Sequence, residues 1–458
     1  MRKKGIDLTQ GNILKKLWAI ATPIMVMQIF QMAYNFIDMF FLGRISDDPL
    51  VAADIVAAAG SAGMFIWLSV AFFLIGQLGA EIGVSQETGK DDLKKAHAYA
   101  SNALLIALIL GIFVGGSAVF FSDQLLRLLR IQEQHVARDA AHYLRIIGFS
   151  FPFIFLNNAI SGVFNGVGNA KLPFYLKTIG LGINVIITPL FIFVFGWGIT
   201  GAAVATALGH AITGCLMIGA MKHPKWGPFD AFSWRGILTA DAQVVRQIFR
   251  WSLPIAIDSA LFTSLSMIIA GFVASFGSGA IAAQRVGTQI ESLTWLVGGG
   301  YAAAFRAFVG QNYGAKQFER LKKGYALSVG AMALWGLGVG LIMFLAGTPI
   351  FRLFIRDPEI VAIGVSYLRI LALVQIAQAI DGVSAAAFDG LGKTLPPTIV
   401  SVSFNALRVV VAFFLSQTAL GINGIWIGIA FGNFMRGVVL TIWYLSYGKS
   451  KIFSATTA

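Results

Sequence analysis

The chain has 458 residues, of which 57% are hydrophobic and 12% charged, whereas soluble domains carry about 25% charged residues. With a mean hydropathy of +0.77, this composition excludes a water-soluble fold and implies many membrane spans. A net charge of +13 with a single cysteine, Cys215, excludes an internal disulfide framework and is better explained by basic cytoplasmic loops than by nucleic-acid binding.

The basic N-terminus, MRKKGIDLTQGNILKK, has no short apolar core with a small-residue cleavage site, and reads as a cytoplasmic tail. About twelve apolar segments of spanning length follow, on the criterion of roughly 20 residues each. They run 15–43, 54–82, 95–121, 140–167, 173–196, 199–221, 245–275, 280–309, 323–350, 361–389, 395–417 and 421–447. The widest break, KHPKWGPFDAFSWRGILTADAQ, holds two prolines and mixed charge. It divides the chain into an N-terminal six-helix lobe (1–221), a cytoplasmic loop (222–243) and a C-terminal six-helix lobe (244–458).

Basic residues alternate between loops. Arg2, Lys3, Lys4, Lys15 and Lys16 precede span 1. Every second loop then holds Lys90, Lys94 and Lys95; Lys171 and Lys177; Lys222, Lys225, Arg235, Arg246 and Arg250; Lys316, Arg320, Lys322 and Lys323; Lys393; and Lys449 and Lys451. The opposite loops hold Arg44, Arg127, Arg130, Arg138, Arg352 and Arg356, with Arg145 and Arg369 just inside the outer ends of spans 4 and 10. The asymmetry places both termini in the cytoplasm of a multi-pass plasma (inner) membrane protein.

The two halves repeat each other. YLRIIGFSFPFIFLNNAISGVFNGVGNAKLP, from Tyr143, matches YLRILALVQIAQAIDGVSAAAFDGLGKTLPP, from Tyr367, without a gap. Gly166 and Gly168 fall on Gly390 and Gly392, Gln86 falls on Gln311, and Pro23 falls on Pro254. Six spans per half keep the same orientation, so the halves are expected about a pseudo-two-fold axis along the membrane normal. The fold class is therefore an all-α integral membrane protein of two six-helix bundles. Repeated halves around a cavity suit a carrier that works by alternating access.

Other chemistry is missing. No GxxxxGK[ST] loop encodes an ATPase, and Gly166-Val-Gly168 and Gly390-Leu-Gly392 read as helix ends. His97, His135, His142, His210 and His223 form no metal-ligand pattern, and no GxSxG elbow occurs. No catalytic residue or cofactor is expected, and energy must come from an ion gradient or from the substrate's own gradient.

The intramembrane ionisable residues carry the functional reading. Asp38 shares one helical face of span 1 with Tyr34 and Gln31, and Asn35 lies three residues before it. A charge near the bilayer centre costs roughly 2.5–3.5 kcal/mol. Low dielectric disfavours the ionised form of a carboxyl, which suits such a group to exchanging a proton. Facing polar residues are Asn157, Asn158 and Ser161 on span 4, Asn184 and Thr188 on span 5, and Thr206 on span 6. The second half carries Asp258 on span 7, Arg285 and Glu291 on span 8, and Gln378 and Asp381 on span 10. At the position matching Asp38 it has an apolar Ile269. Glu81 and Arg306 occupy equivalent repeat positions near the cytoplasmic ends of spans 2 and 8. Two readings stand for them: a gate ion pair, or long side chains that reach out to the interface.

Taken together, IATPIMVMQIFQMAYNFIDMFFLG, NGVGNAKLP, GINVIITPLFIFVFGWGITGAA and GINGIWIGIAFGN make the chain similar to the multidrug and toxic compound extrusion (MATE) transporters over nearly its whole length. YNxxD in span 1 and AQR at Arg285 resemble the DinF-type branch most. The resemblance implies that Asp38 couples transport to protons. It also implies that Gln31, Tyr34, Tyr143, Asn158, Asn184 and Thr206 line the first-half cavity. Two departures stand out: Thr188 replaces an Asp, and Ser161 an Asn, found in many relatives. In the NorM-type branch span 10 reads D-A-I-Q, whereas here Gln378-Ala-Ile-Asp381 exchanges acid and amide. Second-half carboxylates in that branch are linked to cation binding, often sodium, which makes Asp258 and Asp381 the candidates for such a site.

The expectation is a monomeric antiporter that couples export of amphipathic organic or cationic compounds to proton or sodium entry. Its partners are those small molecules, the coupling cation and membrane lipids, and not nucleic acid. The rivals are a flippase of a lipid-linked precursor, for which only Arg285, Arg306 and Arg408 offer positive charge, and an integral-membrane enzyme, for which no nucleophile–base pair or metal site appears.

Overall fold

The structure, a computed structural model, describes residues 5–127, 133–230, 232, 236 and 240–452. Arg2, Lys3, Lys4, Arg130 and Arg235 of the charge pattern lie outside the described residues.

The described residues fold mainly as helices. In chain order these are α1 (Ile13–Leu42), α2 (Pro49–Gly89), α3 (Leu93–Phe120), α4 (Ser122–Arg127), α5 (Gln134–Gly148), α6 (Phe151–Val167), α7 (Lys171–Pro189) and α8 (Gly198–Lys222). The second half supplies α9 (Ala242–Ala274), α10 (Ser278–Gly314), α11 (Phe318–Leu345), α12 (Gly347–Arg352), α13 (Pro358–Ala372), α14 (Gln375–Gly390), α15 (Leu395–Ser416) and α16 (Ile422–Tyr447). Among the described residues, nine helices are long and apolar enough to cross a bilayer. Two bent pairs, α5 with α6 and α13 with α14, bring the count to eleven. The twelfth expected span is α10, 37 residues long, which falls outside that set and carries Arg285, Glu291 and Arg306.

Spans 4 and 10 were expected as single helices. Each is broken and bends by 52° at a two-residue joint, Phe149–Ser150 in the first half and Leu373–Val374 in the second. Pro152 starts α6 and cannot donate to the turn before it. The same break recurs at the same place in the repeat, so it belongs to the architecture.

The chain forms two compact units, the body of one being Val26–Ala256 and of the other Leu8–Met25 with the residues from Ile257 on. The boundaries fall inside α1 and α9, each two residues after a proline, Pro23 and Pro254. Both prolines lack the N–H that a helix interior uses. Each unit has its own apolar core. The first is built around Phe151, Phe155, Ile160, Val163 and Phe164, and the second around Phe351, Leu368, Leu371 and Trp426.

Glycines set the closest helix approaches, and the repeat uses them twice. A Cβ on Gly166 would lie 3.0 Å from the Glu81 carbonyl oxygen and the Val84 Cβ; one on Gly390 would lie 2.7 Å from the Arg306 carbonyl oxygen and the Val309 Cβ. Glu81 and Val84 are the repeat equivalents of Arg306 and Val309. Gly168 and Gly392, two residues on, take φ of 87° and 72° and end their helices in the left-handed conformation.

Candidate functional site

In the first unit, α1, α6, α7 and α8 surround a cavity of about 500 Å³ of empty space, open to its surroundings. Six residues singled out from the sequence line it: Gln31, Tyr34, Asn157, Asn158, Asn184 and Thr206. The Tyr34 hydroxyl is 3.2 Å from Thr206 Oγ1, which ties α1 to α8.

The asparagines differ in how free they are. Asn184 donates to the Ala205 carbonyl at 3.0 Å and accepts from Thr188 Oγ1 at 2.8 Å. Asn157 donates to the His210 carbonyl at 3.2 Å, while its buried Oδ1 has no hydrogen-bond partner. Asn158 donates to the Ile154 carbonyl within its own helix at 2.9 Å. Thr188 and Ser161 are buried, and Ser161 bonds back to the Asn157 carbonyl at 2.7 Å. Both act as helix-packing groups outside the cavity lining.

Asp38 lies one turn beyond Tyr34 on α1. It is half-buried, and its Oδ1 is enclosed without a hydrogen-bond partner. Tyr143 of α5 is buried and close enough to feel both Asp38 and Tyr34 electrostatically. Asn35 is exposed.

Sequence reasoning misplaced one residue here. Lys177 was assigned to a cytoplasmic loop, but it sits in the second turn of α7 and lines the cavity. Its Nζ donates to Asn158 Oδ1 at 3.4 Å. His210 of α8 lines the same space. The expected span 5, 173–196, already contains Lys177, so its basic charge, and not the span boundary, suggested a loop position.

The second unit concentrates charge. Arg436 of α16 donates to Asp381 Oδ2 at 2.7 Å. Asp258 of α9 lies near the same pair and beside Ser401, and its Oδ1 is enclosed without a partner. Glu291 is buried and accepts from the Tyr367 hydroxyl at 2.7 Å and from Gln378 Nε2 at 3.3 Å. Arg408 donates to Ser266 Oγ at 2.8 Å, stacks 4.9 Å over the Phe262 ring, and lies within electrostatic reach of Glu291 and Arg436. Three carboxyls and two guanidiniums thus share one network. Arg436 and Tyr367 were not picked out as site residues. The only signal for Arg436 was a lone arginine within an otherwise apolar span. Arg285 is exposed on α10 and joins none of these contacts.

Among the described residues, no three His, Cys, Asp or Glu side chains are grouped to hold a metal ion.

Comparison with known proteins agrees with this architecture. The MatE family profile matches residues 23–190 and 254–414, one stretch in each half. The chain is 28% identical to the probable multidrug resistance protein YpnP of Bacillus subtilis, covering 99% of both chains. It is 27% identical to a probable multidrug resistance protein NorM of Thermotoga maritima, covering 95% of this chain and 93% of the relative. A solved MATE structure in the bent conformation superposes with a TM-score of 0.91 over the full length of both chains at 22% identity. With a family match in both repeats and full-length relatives named for multidrug resistance, the chain belongs to the MatE family of multidrug efflux transporters.

Proposed function

We propose that the chain is a cation-coupled antiporter of the plasma (inner) membrane, with both termini cytoplasmic, that exports amphipathic organic compounds by alternating access. The coupling ion is the proton, with sodium as the alternative. The observation that carries this is Asp38. It is an enclosed carboxyl with a partnerless oxygen, one turn from a tyrosine that lines the first-unit cavity.

Proton uptake at Asp38 removes a charge and supplies an O–H donor one turn from Tyr34, whose hydroxyl meets Thr206 at the cavity wall. That change couples ion entry to release of a bound compound. One charge crossing 100 mV is worth about 2.3 kcal/mol, comparable to coupling energies of roughly 1–3 kcal/mol between sites. In the second unit, Asp258 and Glu291 are the carboxyls we assign to cation handling, because Asp381 is already neutralised by Arg436. A flippase for lipid-linked phosphates gains little from the arginines, since Arg436 is committed to Asp381 and Arg408 to Ser266 and Phe262.

Proteoliposomes under separately imposed pH and sodium gradients test this. The expected result is dye efflux driven by the pH gradient in wild type and lost in Asp38→Asn. Wild-type rates in Asp38→Asn would refute the role of Asp38, and efflux driven by sodium alone would replace the proton.

A further inference from the structure

The first-unit cavity holds an ammonium and no carboxylate: its ionisable lining groups are Lys177, His210 and Tyr34. We propose that Lys177 is a subsite for the carboxylate of the transported compound, so that this cavity prefers amphipathic organic acids and zwitterions over simple cations. This rests on reading the chain as an exporter and names the class of compound it takes.

Three observations support the assignment. First, Lys177 is not neutralised by the protein. Its hydrogen bond runs to a neutral amide oxygen at 3.4 Å, long against the usual 2.9–3.0 Å or so for N–H···O, and no carboxylate among the described residues pairs with it. Charged side chains inside membrane helices are rare and are usually paired, or mark the path of a ligand. Second, the remaining lining suits an amphipathic body. Met27, Ile154 and Leu181 supply apolar surface. Gln31, exposed to the cavity, offers an amide to the polar remainder of a zwitterion whose carboxylate sits on Lys177. Third, a plain cation would meet the ammonium as a like charge in a low-dielectric site, where repulsion is strong.

The test uses full-length protein in phosphatidylcholine nanodiscs and two fluorescent probes: a xanthene dye with a free benzoate, and its methyl ester. They share one cationic ring system and differ only in the carboxylate. Fluorescence polarisation should show the free acid binding at least about tenfold tighter to wild type, the size of one charge-assisted hydrogen bond of roughly 1.4 kcal/mol. Lys177→Met should erase the difference while still binding the ester, and Lys177→Arg should keep it. Equal affinities in wild type, binding of neither dye, or an unchanged ratio in Lys177→Met would overturn the proposal. Loss of the preference on adding phosphatidylglycerol would also overturn it, by assigning the lysine to a lipid headgroup. Efflux of the same dyes separates this from the transport reading. Binding preference without efflux removes the transport function and leaves the subsite. Efflux of both dyes at equal rates, untouched by Lys177→Met, does the reverse.

Discussion

The guanidinium of Arg436 donates to the carboxylate of Asp381 at 2.7 Å, and both side chains are largely shielded. The pair joins α16 to α14. Removing one partner leaves a buried charge uncompensated, at about 3–5 kcal/mol, whereas removing both together can be nearly neutral. Arg436→Met is therefore expected to lower the thermal-unfolding midpoint in detergent sharply. The double variant with Asp381→Leu should recover most of it. A double variant as unstable as the single one would show that the pair is not what makes Arg436 important.

Tyr367 and Tyr143 are repeat equivalents with different tasks. Tyr367 donates to Glu291 at 2.7 Å, and a hydrogen bond to a charged group contributes about 1.5–3 kcal/mol. Tyr143 neighbours Asp38, whose Oδ1 has no partner. Tyr367→Phe should cost stability by roughly that amount, and Tyr143→Phe less. Urea or thermal-shift curves of the two variants, compared with wild type, check the order; a larger loss in Tyr143→Phe would reverse the reading.

Much of the fold could be read from the chain because the physics is one-dimensional there. Apolar runs of spanning length must be helices, since no other single segment satisfies its backbone in lipid, and the repeat from Tyr143 and Tyr367 aligns without a gap. The sharp joints at Phe149–Ser150 and Leu373–Val374 were hidden, because hydropathy continues straight through them. The polar face of α1 and the amides of α6 and α7 were also readable, since polar residues in apolar helices stand out singly. Which of them meet was not. Lys177 reaches the cavity only because α6 and α8 flank α7, and Glu291 meets Tyr367 across 76 residues of sequence. Such pairings depend on helix rotation, which a single sequence does not encode.

The repeated glycines predict matched packing defects. Gly390→Ala places a Cβ 2.7 Å from the Arg306 carbonyl oxygen, and Gly166→Ala one 3.0 Å from that of Glu81. Both obstacles are backbone, so the helices must separate. Overpacking of this kind costs typically about 1–3 kcal/mol. Both variants should unfold at lower temperature, Gly390→Ala more so. Gly182→Ala, with open space around its Cβ, is the control and should be near neutral.

Asn184 and Gln31 line the same cavity but should respond differently to truncation. Asn184 is buried and bonded at both ends of its amide, to the Ala205 carbonyl and to Thr188. A Cβ on Gly209 would lie 3.0 Å from its Nδ2, so α7 and α8 are packed closely around it. Asn184→Ala strands the Thr188 hydroxyl and opens that contact, a loss of roughly 1–3 kcal/mol. Gln31 is exposed to the cavity. Gln31→Ala should therefore leave the unfolding midpoint unchanged and alter the KM for efflux, because it removes only a group available to the transported compound. Measuring both midpoint and KM for the two variants separates helix glue from binding surface. If Gln31→Ala lowered stability and left KM alone, its place in the binding surface would be lost, and the polar face of α1 would be a packing device.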